Sequence, residues 1–242
     1  MPVVVIPVLD EAGALPALLV AMPAGYEALV VDNGSSDGSS EVARRHGAQV
    51  VTEAMRGFGS ACWTGLLAAE PDDGVVCFMD GDGSFDPADL LRVAGPILDQ
   101  GADLVLGARR PVGRGSWPLH ARLANHILAR LLARTPPLRR NGVELSDLGP
   151  MRAARRGELL ALGLRDRRSG WPLEMVLSAA DAGWRIREVD VSYHARVGQS
   201  KVTGTLRGTF TAVGDMTKLL ARSSLGRRTR LVGSGASPRK SI

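Results

Sequence analysis

The chain has 242 residues, 45% of them hydrophobic, which is enough for one domain with a substantial core, or one domain with an appendage. No run approaches the roughly 20 apolar residues of a membrane helix, because the best candidate, Gly208–Gly214, is interrupted by Arg207 and Asp215. The net charge of +5 hides a split: residues 1–103 carry 16 acidic and 4 basic side chains, residues 104–242 carry 9 acidic and 26 basic ones.

The elements alternate from the start. Val3–Val8 reads as an apolar strand and leaves no room for a signal peptide; Ala12–Ala21 follows as a helix. Ala28–Val31 is a second strand, ended by the turn cluster Asp32-Asn33-Gly34-Ser35-Ser36-Asp37-Gly38. Ser39–His46 is helical, Ala48–Val51 a third strand, Gly59–Ala69 a helix and Val75–Met79 a fourth strand. Pro87–Leu98 is a helix with Pro at its first turn, and Asp103–Leu106 is a fifth strand. Repeated βα units of this kind give a mainly parallel sheet with helices on both faces.

After Gly107 the character changes. Arg109 to Gly115 reads as a loop, and Trp117–Arg134 as a helix with Leu119, Leu123, Ile127 and Leu131 at i, i+4 spacing and Arg122, Arg130 and Arg134 beside them. Such a helix either packs on a core or lies on an anionic membrane surface. Pro136-Pro137 breaks it. Arg156–Leu162 and Trp171–Ala182 are further helices, Ile186–Val191 is a strand, and Thr205–Ala221 is a final helix before the acid-free, basic tail Ser223–Ile242. Eight arginines and no acid between Leu104 and Val143 call for an anionic partner: a phosphate, a nucleic acid or an anionic membrane surface. With only 4% aromatic residues there is no stacking platform, so specific nucleic-acid binding is not expected. Cys62 and Cys77 lack metal or redox spacing and read as reduced, buried side chains of a cytoplasmic protein.

The most informative junction is Val75–Met79 running into Asp80-Gly81-Asp82-Gly83. It places two carboxylates at the C-terminal end of a buried strand, where open α/β sheets bind ligands. Hard oxygen donors suit Mg²⁺ or Mn²⁺, which in turn can hold a diphosphate. An EF-hand is excluded, since position 6 of such a loop would be Phe85 and position 12 Leu91. A Rossmann site is disfavoured, because the first strand ends in Pro7-Val8-Leu9-Asp10-Glu11, and Gly57-Phe58-Gly59 has Cys62 where the third glycine belongs. There is no G-x-x-x-x-G-K-[ST] loop.

Four strand ends, Pro7–Glu11, Asp32–Asp37, Arg56–Gly59 and Asp80–Asp82, together resemble the family 2 glycosyltransferases with the GT-A fold, most closely the dolichyl- and polyprenyl-phosphate glycosyltransferase-like branch. The likeness continues through Gly107-Ala108-Arg109, Ser146–Arg152, Gly170–Met175 and Arg196–Lys201, and covers roughly residues 2–220 in order. It implies a GT-A domain over 1–222, with a nucleotide-sugar and metal half (1–107) and an acceptor half (108–222), followed by the tail 223–242.

The resemblance also implies roles. Pro7, Glu11, Asp32, Gly57, Asp80 and Gly81 would line a nucleotide-diphosphate sugar, GDP- or UDP-linked, the two glycines letting backbone approach it. Asp80 and Asp82 would hold Mg²⁺ or Mn²⁺ against the diphosphate leaving group. Arg109, Trp171, Glu174, Arg196 and Lys201 would face the acceptor. A hydroxyl acceptor requires a base, Asp147 or Glu174. A polyprenyl phosphate, with a second pKa of about 6, is already anionic and needs only cations. The excess of arginine favours the phosphate, reached as a peripheral protein at the inner face of the membrane, with inversion at the sugar. The alternatives are transfer to a soluble or glycan hydroxyl, a non-catalytic module binding nucleotide-sugar or anionic polymer, and a nucleotidyltransferase. His120, His126 and His194 read as surface or packing residues. The chain departs from the family pattern at Asn33, in place of a second Asp, and at Ser84, in place of a common Gln, and it lacks the C-terminal membrane helices of some relatives.

Overall fold

The computed structural model describes residues 1–198 apart from 72 and 114. Lys201, the expected helix Thr205–Ala221 and the tail Ser223–Ile242 lie outside the described residues. The elements begin β1 (Val3–Val8), α1 (Leu15–Val20), β2 (Glu27–Asp32), α2 (Ser39–Arg45), β3 (Gln49–Thr52), α3 (Phe58–Ala68) and β4 (Val75–Phe78). A 3-10 turn (Pro87–Asp89) leads into α4 (Leu90–Leu98), then β5 (Leu104–Pro111), α5 (Leu119–Ala133) and α6 (Pro136–Arg140). β6 (Arg152–Arg155), α7 (Arg156–Ala161), α8 (Trp171–Asp181) and β7 (Ile186–Tyr193) follow.

Seven strands form one sheet in the order β3-β2-β1-β4-β6-β5-β7. All pairs are parallel except those of β6, which runs antiparallel to β4 and β5 on either side. The expected mainly parallel α/β architecture is therefore present, with one inserted antiparallel strand. The central strands β1 and β4 read as unbroken apolar runs because both faces are covered. On one face Val3, Val5, Leu29, Val31, Val76 and Phe78 pack under α3 and α8. On the other, Val4, Ile6, Val8, Val30, Cys77 and Met79 pack under α1 and α4. Each large apolar side chain so buried contributes about 1.5–3 kcal/mol.

Three differences from expectation have a clear physical reason. β6, Arg-Ala-Ala-Arg, has neither β-branched nor aromatic residues, so its strand conformation follows from its neighbours and not from propensity. Pro136-Pro137 not only ends α5 but opens α6, since Pro at the first helical positions has no needed N–H to lose. β5 continues to Pro111, because Arg109, Arg110 and Pro111 pair with Val191, Ser192 and Tyr193 of β7; Arg109 thus stands on a strand and not in a loop.

β1 pairs with β2 on one side and β4 on the other, so the strand order reverses there. The crevice beyond the C-terminal ends of β1 and β4 is the place where open α/β sheets take ligands.

Candidate active site

The chain leaving β1 is held by the turn that follows β2. Asp10 sits at φ 53°, a left-handed conformation uncommon for a residue with a side chain. Its Oδ1 accepts from Ser36 N (2.6 Å), and its own N–H donates to Ser35 Oγ (2.9 Å). Glu11 N–H donates to Ser39 Oγ (2.9 Å) and Ala12 N–H to Asp37 Oδ2 (2.9 Å). The serines and Asp37 of the turn motif thus fix Glu11 from behind. Asp32 is buried and accepts from Gly34 N (3.1 Å), Ser35 N (2.7 Å) and Ser40 Oγ. Burial alone would raise its pKa, but these hydrogen bonds outweigh that and hold the carboxyl below its ordinary range.

Asn33 staples the next loop. Its Nδ2 donates to the carbonyls of Glu53 (2.9 Å) and Met55 (2.8 Å), and its Oδ1 accepts from Gly57 N (2.8 Å). An aspartate offers no such donors, which gives the departure from the family pattern a structural use. Gly57 has φ 156°, and a Cβ there would collide with the carbonyl oxygen of Arg167. A Cβ on Gly81 would stand 2.9 Å from Val8 Cγ2 and 3.1 Å from Ile6 Cγ2. Both glycines are thus required by packing within the chain itself.

Carboxylates and cations meet at the end of β4. Asp82 Oδ1 accepts from Ser84 N (2.9 Å), and the segment 193–197 runs back along 82–85 through His194 N to Ser84 O (2.8 Å) and Val197 N to Asp82 O (2.9 Å). This return brings Arg196 over the site, with Nη2 2.8 Å from Glu11 Oε1 and Nε 3.7 Å from Asp82 Oδ2. That Nε is buried with no hydrogen-bond partner among the described residues. Burial and the neighbouring Asp82 push the Asp80 carboxyl up to about 7, with Arg109 and Arg196 opposing. Asp80 and Asp82, whose charges raise one another's cost, would suit a divalent cation, and the unpartnered Arg196 Nε–H would suit an anionic ligand. No group of three or more metal-ligating side chains occurs among the described residues. A cation here would thus rest on Asp80 and Asp82, its shell completed by ligand oxygens and water, as suits Mg²⁺.

Arg109, at the end of β5, is gripped by Asp147. Its Nε donates to Oδ2 (2.8 Å) and its Nη2 to Oδ1 (2.7 Å), while its backbone N–H also donates to Oδ2 (2.8 Å). Asn125 on α5 accepts from Arg109 Nη2 (3.2 Å), and the guanidinium lies 4.0 Å from the Trp117 ring centroid and 5.3 Å from that of Tyr193. Burial would raise the Asp147 pKa, but Arg109 holds it low. Asp147 itself is set by Glu188 of β7, which accepts from Ser146 N and Asp147 N, both at 2.9 Å. Beside the pair is a cavity of about 370 Å³, bounded by Arg109, Arg110, Trp117, Arg122, Leu123 and Asp147 among others.

The structure brings Glu11, Asp80, Asp82, Arg109 and Arg196 to one mouth and sets Pro7 at the adjoining strand end. Three expectations change. Trp171 is 1% exposed and packs edge-on to Phe78 (4.9 Å), a core side chain and not an acceptor wall. Glu174 accepts from the backbone N–H of Arg165 (3.0 Å) and Asp166 (2.7 Å), holding that loop. Asp147 has both oxygens engaged by Arg109, so neither expected base is poised to take a proton. Sequence reasoning missed Trp117, Tyr193 and Asn125 around Arg109. It also missed Arg152, whose guanidinium is buried and donates to Gly149 O (2.9 Å) and Pro172 O (2.5 Å), tying the Asp147 loop to α8. The one legible signal was Asn125, a polar residue on the same helix face as Leu128, Ala129 and Leu132.

Residues 3–160 match the family model described as Glycosyl transferase family 2. An uncharacterized glycosyltransferase of Mycobacterium tuberculosis is 50% identical over 219 residues, 90% of this chain and 97% of the relative. A dolichyl-phosphate hexose transferase of Haloferax volcanii is 30% identical over 178 residues, 74% of this chain and 75% of the relative. A solved glucosyl-3-phosphoglycerate synthase from Mycobacterium tuberculosis, in complex with Mn²⁺, UDP-glucose and phosphoglyceric acid, superposes with a TM-score of 0.70 at 24% identity, over 92% of this chain and 79% of that one. That likeness speaks for the fold.

Proposed function

Because this chain belongs to glycosyl transferase family 2 and is a glycosyltransferase of GT-A fold, we propose that it moves a sugar from a nucleotide-diphosphate donor to a polyprenyl phosphate. The observation that carries this reading is the state of Asp147 and Glu174. Both carboxylates are committed, one to Arg109 and one to the 165–166 backbone. A hydroxyl acceptor needs a base to take its proton, whereas a phosphate monoester, with a second pKa of about 6, is already a nucleophile at neutral pH. The 30% identical relative named a dolichyl-phosphate hexose transferase supports the same acceptor class.

Asp80 and Asp82 would hold a divalent cation, which when bound neutralises charge on the leaving nucleoside diphosphate. Glu11 and Asp32 lie on the β1 and β2 sides, where a nucleoside would seat, Asp32 through the turn it shapes. Arg109, kept in place by Asp147, Asn125 and Trp117, and Arg196 would draw the acceptor phosphate to the sugar; Lys201 joins them in this reading. A phosphate oxygen forms the bond to the anomeric carbon as the bond to the diphosphate oxygen breaks, inverting the centre with no proton transferred.

A thermal-shift screen of UDP, GDP and their sugar conjugates, with and without Mn²⁺, on the wild type and Asp82→Ala tests the donor site. A metal-dependent rise of several degrees for one nucleotide family, lost in Asp82→Ala, is the expected result; a ligand at about 100 times its Kd stabilises by about 2.7 kcal/mol. No shift with any nucleotide would sink the proposal and move the weight to a binding role for the basic half.

A further inference from the structure

Helix α5 is apolar on two opposite sides. Leu128, Ala129 and Leu132 turn inward onto the core. Leu119, Leu123, Ile127 and Leu131 are 80%, 61%, 50% and 50% exposed. Spaced four apart, they form one outward stripe, about 18 Å long at 1.5 Å per residue. Arg130 and, at the helix end, Arg134 are exposed on the same outward side, Arg122 is exposed at the edge of the cavity beside Arg109, and Arg139 of α6 continues the basic run. Of the eight arginines between Leu104 and Val143, Arg109, Arg110 and Arg140 are paired with Asp147, Asp190 and Asp181. A soluble surface seldom leaves four large aliphatic side chains in a row facing water.

We infer that this outward face of α5 docks on the surface of an anionic lipid bilayer. It deepens the polyprenyl-phosphate reading and rests on it for its purpose. A helix that places leucines at the acyl boundary among arginines at headgroup level matches both chemistries of such a surface at once. A folded protein partner would satisfy the leucines but would have to bring acids to the exposed Arg130, Arg134 and Arg139. The same helix also borders the cavity beside Arg109, through Leu119, Arg122 and Leu123. A lipid phosphate drawn from the bilayer would therefore enter at Arg122 and reach Arg109, while its isoprenoid chain stays along the stripe.

The test is co-flotation of the full chain with vesicles containing no polyprenyl phosphate and no donor. Neutral phosphatidylcholine vesicles are compared with vesicles carrying about 30 mol% phosphatidylglycerol. The expected result is binding to the anionic vesicles alone, weakened at least about tenfold in Leu123→Glu/Ile127→Glu, whose sites are solvent-exposed. It should also weaken between about 0.1 M and 1 M salt, as the Debye length falls from about 10 Å to about 3 Å. Circular dichroism and the nucleotide thermal shift check that the double variant is folded. Equal binding by wild type and double variant would overturn the inference and place attachment in residues 199–242. Absence of wild-type binding would overturn it as well, as would dimerisation abolished by the double variant, which would make the stripe a face for a second copy. None of these readouts involves sugar transfer, so each can fail while the proposed reaction stands, and the reverse.

Discussion

Asn33 and Asp147 show how much of the candidate site is made by residues that spend their hydrogen bonds on the fold itself. Asn33 joins the loop after β2 to the loop before α3 by two donated bonds and one accepted. Replacing it with Asp puts a carboxylate against two carbonyl oxygens and removes both donors. Asn33→Asp should lower stability by about 1–3 kcal/mol, read in urea unfolding at neutral pH. Asp147 is a different case, since its worth is electrostatic. Its carboxyl is held below the ordinary range by Arg109. A depressed carboxylate stabilises the fold above its unfolded pKa of about 4, and that contribution is lost as pH falls through the folded value. Asp147→Asn should thus unfold more easily at neutral pH, by about 3–5 kcal/mol for a broken buried pair, and show a flatter stability profile below about pH 4. In transfer assays the same variant should raise the acceptor KM through a misplaced Arg109 and leave the acid limb of the pH–rate profile intact. Loss of that limb with an unchanged KM would instead mark Asp147 as a base.

At the scale of elements, α5 and β6 are the informative pair. Adjacent leucines on α5 have opposite environments: Leu132 is fully buried and Leu131 half-exposed. Leu132→Ala should cost about 2–5 kcal/mol by opening a cavity, and Leu131→Ala no more than about 0.5 kcal/mol, compared by chemical denaturation of both variants. If the two cost the same, the orientation of α5 is wrong, and with it the outward stripe. The sequence offered two readings of this helix, core-packed or surface-lying, and its two apolar sides make each true of one face. β6 escaped notice because Arg-Ala-Ala-Arg carries no strand signal. Its alanines are small because they lie between β4 and β5 with both faces covered, and Arg152 is buried where its guanidinium can meet the carbonyls of two loops. Burial lowers that arginine's pKa to about 10, which leaves it charged at neutral pH.

Across the whole molecule, the charge split follows the architecture. The acidic first half supplies Glu11, Asp80 and Asp82 from the ends of β1 and β4, and the basic second half supplies Arg109 and Arg196 from the ends of β5 and β7. They meet because β4 and β5 flank the antiparallel β6, and because the return after β7 lies along 82–85. The same basic half carries the outward face of α5, so the proposed acceptor cavity and the proposed bilayer contact share one side of the protein.

The strand and helix alternation, the turn after β2 and the paired carboxylates after β4 were all legible from the order of residues, because each rests on local periodicity or on residue chemistry at a strand end. Nothing local, however, could tell whether Asp147 was a free base or the anchor of Arg109. That depended on a partner 38 residues away, brought within 2.8 Å by the β5–β6 pairing. Trp171 joined the core for the same kind of reason, since its burial is set by Phe78 on a strand distant in sequence. Residue type and spacing determine which groups a chain offers. Which of them face each other, and which spend their hydrogen bonds on the fold itself, is decided by long-range packing, where burial and pairing fix the charge that each side chain can keep.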